Sequence, residues 1–199
     1  MERGRYIALE GSEGTGKSTH ARHLANDLGA VVTREHGGTP IGLLIRNILA
    51  DPAHAELTAK AEALLIAADR AQHLDQVVRP ALEAGRHVVS DRSIYSSLAY
   101  QGFGRGLPLA QVRSVNEWAI DGCWPDFVVL LEVQPDQLAR RMRRRELDRF
   151  ERSGPEFYQR VADGFRALAA EDPERWVVVD GNQSRADGAA AIRTAVRDR

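Results

Sequence analysis

Lysine is nearly absent from this chain: of its 27 basic residues only Lys17 and Lys60 are lysines, the rest being arginine. A lysine kept where arginine is otherwise the rule marks a position that needs a compact ammonium. Charge of one sign is missing as well. The 27 basic residues meet 28 acidic ones for a net charge of −1, so no overall field draws the protein to nucleic acid or to an anionic membrane. Any phosphate it handles must meet a local cluster. Cys123 is the single cysteine, which excludes an internal disulfide, suits a reducing cytosol and reads as a packing residue. Long apolar runs are missing too. The opening MERGRYIALEGSEG reaches glycine after a few apolar residues, and FVVLLEV has the length of a strand, too short for a membrane span. Repeats, low-complexity stretches and Pro/Gly/Ser linkers are also lacking. The expectation is one cytoplasmic domain over residues 1–199, with neither nucleic acid nor membrane as partner.

What is present alternates. Apolar, β-branched runs at 6–9, 31–33, 87–90, 127–133 and 176–179 read as buried parallel strands. Helical spacing occupies 18–28, 41–49, 57–83, 109–120, 135–145, 155–170 and 187–196. Strands alternating with helices predict an α/β fold, a five-stranded parallel sheet with helices on both faces.

The first strand runs into Gly11-Ser12-Glu13-Gly14-Thr15-Gly16-Lys17-Ser18, with Thr19 opening the following helix. This is the G-x-x-x-x-G-K-[ST] pattern in its strand-loop-helix setting. Gly11, Gly14 and Gly16 let the backbone curl so that successive N–H groups point at phosphate oxygens, helped by the dipole of the helix that follows. Lys17 then reaches β- and γ-phosphates of ATP, and Ser18 ligates Mg²⁺. Neither lysine follows an asparagine, so the Asn-Lys-x-Asp signature of guanine-reading switches is missing. The strand 87–90 ends in Asp91-Arg92, where parallel sheets place their ligand crevice. Asp91 can hold Mg²⁺ through water, and Arg92 can clamp a phosphate bidentately.

Four stretches in order carry a family resemblance: the phosphate loop; Thr33-Arg34-Glu35-His36-Gly37-Gly38-Thr39-Pro40; Asp91-Arg92-Ser93 through Ala99-Tyr100-Gln101-Gly102; and Glu146-Leu147-Asp148-Arg149-Phe150-Glu151. They resemble, respectively, the P-loop, TREPGGTP, DRxxxSxxAYQG and ELDRxE signatures of bacterial-type thymidylate kinases. The resemblance implies that Glu13 faces the acceptor's 3′-hydroxyl or the Mg²⁺ and water near it, with Arg34 on the same substrate side. It implies Asp91 near the metal, Arg92 on the acceptor phosphate, Arg70 at thymine O4 and Ser97 at the base edge. Tyr100 would crowd the 2′ position and so favour deoxyribose. A homodimer is implied as well.

Seven of the thirteen residues 140–152 are arginine, and the phosphate-loop positions Ser12, Glu13 and Thr15 carry none. A lid of about 141–153 must therefore supply the guanidinium that meets transition-state charge. Arg149, inside the ELDR match, is the expected catalytic one, with Arg141 and Arg145 as secondary, ATP-side candidates. Two departures bear on the acceptor. His36 replaces the family's proline, which predicts a trans peptide there and a solvated loop imidazole. Ile66 replaces the phenylalanine that stacks on thymine and is expected against the base face. That leaves another nucleoside monophosphate or a deoxynucleoside as the alternative acceptor to thymidine 5′-monophosphate.

Overall fold

In the computed structural model, which describes residues 2–142 and 149–197, strands β1 (Tyr6–Glu10), β2 (Val31–Arg34), β3 (Val88–Asp91), β4 (Phe127–Glu132) and β5 (Trp176–Asp180) form one parallel sheet. Its order is β2-β3-β1-β4-β5. Alternating strand residues feed two cores. Tyr6, Ala8, Val88, Val128 and Leu130 face one layer, whereas Ile7, Leu9, Val89, Val129 and Leu131 face the other. Because both faces of the central strands β1, β3 and β4 are covered, these read as nearly continuous apolar runs, whereas the edge strands β2 and β5 leave Val32 and Val178 exposed.

The second layer belongs to α1 (Lys17–Leu28) and, at the chain's end, α9 (Arg185–Arg197). The remaining helices are α2 (Pro40–Ala50), α3 (Ala59–His73), α4 (Arg79–Glu83), α5 (Ile94–Ser97), α6 (Leu109–Ile120), α7 (Pro135–Met142) and α8 (Pro155–Glu171). Helices α2 to α6 and α8 contribute side chains to the first layer. The helix expected over 57–83 begins two residues later, where the Thr58 hydroxyl caps it by accepting from Ala61 N at 3.3 Å. It also widens into a π-turn at Leu74–Val78 just before Pro80. Proline has no N–H to donate and its ring crowds the carbonyl four residues back, which the wider turn relieves. A second wide segment, Leu98–Gly104, continues α5, so 94–104 is helical although its spacing does not announce it.

The register aligns the exits of three strands: Leu9 pairs with Asp91, and Arg34 pairs with Asp91. The chain runs from β1 toward β2 and β3 on one side and toward β4 and β5 on the other, so the crevice at the carboxyl ends opens beside β1.

Candidate active site

A cavity of about 710 Å³ opens at those strand ends, the size of a site that holds nucleotides. The phosphate loop forms its floor. Gly11 sits at φ 138°, and a Cβ there would meet Leu131 O at 2.5 Å, so only glycine lets the loop pass this close to β4. Gly14 and Gly16 also take positive φ, 77° and 98°. Lys17 is buried, and its ammonium donates to Ser12 O at 2.7 Å. Burial, with repulsion from Arg92 added, lowers its pKa from 10.5 to about 8. The Thr15 hydroxyl donates to Ser12 O at 3.0 Å and stiffens the turn, while Thr19 joins Lys17 and Ser18 in the wall.

The Ser18 hydroxyl donates to Asp91 Oδ2, and Asp91 Oδ1 is buried without a partner. A hydroxyl beside a carboxylate with an unused buried oxygen fits Mg²⁺, which takes one or two protein ligands and fills its octahedron with water and phosphate. Among the described residues no cluster of three His, Cys, Asp or Glu side chains forms a separate all-protein metal cage.

Arg92 holds φ 78°, a left-handed backbone that costs a non-glycine residue energy and needs the surroundings to fix it. Its contacts do so. Arg92 N donates to Leu9 O at 2.9 Å, Nη1 to Gly11 O at 3.2 Å and Ser96 Oγ at 3.0 Å, and Nη2 to Glu13 Oε1 and Tyr100 OH. Glu10, wholly buried at the end of β1, braces the turn from behind by accepting from Ser93 N, Ser93 Oγ and Ser96 Oγ at 2.6–2.8 Å. Burial raises its pKa against those hydrogen bonds.

Arg70 is the largest fully buried side chain. Nε donates to Glu35 Oε2 at 2.7 Å, Nη1 to Ser97 Oγ at 2.9 Å and to Asn116 Oδ1, and Nη2 to Ser93 O at 3.0 Å. A guanidinium has five N–H groups, so one on Nη2 is left for a ligand in the cavity that Arg70 and Ser97 both line. Burial alone would raise Glu35, but Arg70 and then His73 beside it hold the carboxyl below its ordinary value. Ile66, 5% exposed, belongs to the core and lines the cavity at once. Arg34 sits exposed at the rim.

Two expectations are corrected, and a third residue sits away from its expected place. The Glu35–His36 peptide is cis. His36 is half-buried rather than free in solvent. It lines the cavity beside Phe150, 5.8 Å between ring centroids, and burial, reinforced by Arg46, holds its imidazole down at about 3. Arg149 does not face the phosphate loop. Its Nε donates to Leu49 O at 2.7 Å and its Nη2 to the buried Glu62 at 2.6 Å, and it is outside the cavity wall. The physical reason is Glu62, a carboxylate without solvent that takes Arg149, Arg105 at 3.1 Å and Gln101 at 2.9 Å as donors. Among the described residues of the arginine-rich stretch, Arg141 at the end of α7 reaches the loop, donating to Gly14 O at 3.3 Å and Gly181 O at 2.9 Å. Arg145 and the Glu146-Leu147-Asp148 stretch lie outside the described residues.

Sequence reasoning missed Glu10, Glu35, Glu62, Asn116 and Phe150. An acidic residue ending an otherwise apolar strand, as Glu10 does, was one available signal, and the presence of Glu35 and Phe150 inside two of the matched stretches was another.

Comparison with known proteins agrees with this geometry. The thymidylate kinase family profile matches residues 9–192. A thymidylate kinase from an Exiguobacterium species is 46% identical over 187 residues, covering 91% of this chain and 88% of the relative. One from Halothermothrix orenii is 46% identical over 192 residues, covering 92% and 91%. The crystal structure of thymidylate kinase from Ehrlichia chaffeensis superposes with a TM-score of 0.78 at 29% identity, over 98% of this chain and 99% of that one. Phosphate loop, Asp-Arg turn and acceptor wall thus sit in a chain whose likeness runs nearly end to end, and the chain belongs to the thymidylate kinase family.

Proposed function

We propose that this protein transfers the γ-phosphoryl group of ATP directly to thymidine 5′-monophosphate, giving thymidine 5′-diphosphate. The observation that carries this reading is the placing of two cationic centres, Lys17 on the phosphate loop and Arg92 on the Asp-Arg turn, in one cavity. One suits the donor's phosphates and the other the acceptor's. The acceptor phosphate is already ionised, so no covalent intermediate is needed and catalysis reduces to orientation and charge stabilisation.

On the donor side the loop from Gly11 to Ser18, with Thr19, cradles the triphosphate and Lys17 follows the β- and γ-oxygens. Mg²⁺, when bound by Ser18 and Asp91, would neutralise charge on the β- and γ-phosphates. Arg141 supplies the lid guanidinium in this reading, with Arg145 as a second candidate, and Arg149 anchors the base of the lid instead. On the acceptor side Arg92 holds the phosphate and Glu13 faces the 3′-hydroxyl or its water. Tyr100, buried against Arg92, fills the space a 2′-hydroxyl would need. The free Nη2 hydrogen of Arg70 and the Ser97 hydroxyl suit the base edge.

This reading includes one cytoplasmic catalytic domain and a homodimer. Among the described residues no helix is long and apolar enough to cross a membrane. Support for the dimer comes from α2, where Ile41, Leu44 and Ile48 form an exposed apolar stripe, with Leu64 of α3 and an 85% exposed Trp118 on α6 nearby in the layer order α2-α3-α6. Such a face is suited to self-pairing about a two-fold axis. A coupled ATP-consumption assay across the nucleoside monophosphates and deoxynucleosides tests the reaction. Preference for thymidine 5′-monophosphate supports it; turnover of a deoxynucleoside or of another monophosphate in its place overturns the acceptor assignment.

A further inference from the structure

Phe150 stands in the cavity wall, 6% exposed, at the point where the lid segment rejoins the body of the protein. Its ring is fixed from several sides. Tyr100 meets it edge-on at 6.5 Å and 80°, His36 lies tilted at 5.8 Å and 30°, and the guanidinium of Arg149 sits 4.7 Å from its centroid. The chain on either side is tied to the same anchor. Arg149 bonds Glu62, and Arg105 bonds both Glu62 and Ser153. Phe150 is therefore a positioned aromatic residue.

The opposite deficit is at Ile66, where the acceptor half of the cavity offers an aliphatic surface. We propose that Phe150, paired with His36, supplies the aromatic contact for the acceptor's nucleobase, so that the lid base, rather than helix α3, selects for a planar heterocycle. A planar base gains from an aromatic neighbour through offset or edge contacts that a sugar phosphate cannot make. His36 suits the role because its imidazole stays neutral in the cavity and adds no charge repelled by Arg92 or Arg46. The inference rests on the nucleotide-acceptor reading above.

The test is isothermal titration of wild type and Phe150→Met with thymidine 5′-monophosphate and, separately, with 2-deoxyribose 5-phosphate, which has the same phosphate and sugar without a base. Methionine conserves volume and removes the ring. The expected result is a two- to tenfold weaker Kd for the nucleotide, about the range of an aromatic contact, with the base-free ligand unchanged. Phe150→Tyr, which keeps the ring, should stay close to wild type. Should Phe150→Met fail to fold, His36→Leu removes the other ring from outside the main core cluster and should give the same base-dependent loss. Equal weakening of both ligands, or no change for either, overturns the proposal. Failure of the wild type to bind or phosphorylate thymidine 5′-monophosphate would instead overturn the reading on which it rests.

Discussion

Loading ATP onto the phosphate loop should draw a proton from solvent, by an amount set by Lys17. In the free protein this ammonium is buried, and burial first, then Arg92, lowers its pKa to about 8. Its neutral fraction is then roughly 0.1 at pH 7, 0.5 at pH 8 and 0.9 at pH 9. Phosphate oxygens favour the charged form, so binding should restore the missing proton, with uptake rising from near zero to nearly one across that range. The same shift fixes a stability trend. The folded pKa lies below the ordinary 10.5, so between about pH 8 and pH 10.5 the unfolded chain binds more protons. The ATP-free protein should gain stability as pH rises through that window, by at most roughly 3 kcal/mol, and the ATP-bound protein should lose this gain. Titration calorimetry in two buffers of different ionisation enthalpy at each pH measures the uptake directly. A flat uptake from pH 7 to pH 9, or the same rising curve in Lys17→Met, refutes the reasoning.

Arg92→Ala removes a charge-assisted pair that exists before reaction. KM for thymidine 5′-monophosphate should rise about tenfold or more in steady-state assays while KM for ATP stays put, and the reverse pattern would mean that the two halves of the site are exchanged. Arg141→Ala should lower kcat roughly 100-fold with little change in melting temperature, whereas Arg149→Ala should cost about 1–3 kcal/mol of stability through Glu62 and spare kcat in the folded enzyme. A large kcat loss in Arg149→Ala at unchanged stability would show that the lid delivers this arginine after all. If the proposed dimer forms through the exposed α2 stripe, Leu44→Glu should shift a dimeric wild type to monomer in analytical ultracentrifugation; a monomeric wild type refutes the dimer, and an unchanged dimer in the variant refutes this face.

What was legible in the sequence follows from which signals are local. The five strands were found within one or two residues because the central three, β1, β3 and β4, are buried on both faces and apolar nearly throughout, while the edge strands β2 and β5 keep short β-branched runs although Val32 and Val178 are exposed. The phosphate loop was legible because its glycines answer a backbone demand, the close passage of Gly11 under Leu131, that leaves no choice of residue. The segment 94–104 escaped because wide helical turns break the 3.6-residue spacing by which helices are recognised.

The position of Arg149 was not legible for a different reason. In sequence it is one arginine among seven in a stretch of thirteen, and nothing in that stretch distinguishes a guanidinium aimed at phosphate from one that is already occupied. The distinction is made far away, by Glu62 on α3. An acidic residue early in a helix ordinarily reads as a solvated side chain favourable to the helix dipole. Glu62 is instead buried to zero exposure and must find cations, because an unpaired carboxylate there would be too costly. Arg105 and Arg149 answer that need from segments 43 and 87 residues away. The same logic binds Arg70 to Glu35 across 35 residues. The buried carboxylates Glu62 and Glu35 thus decide that Arg149, Arg105 and Arg70 are held within the fold, and that choice is made by tertiary pairing that no local pattern records.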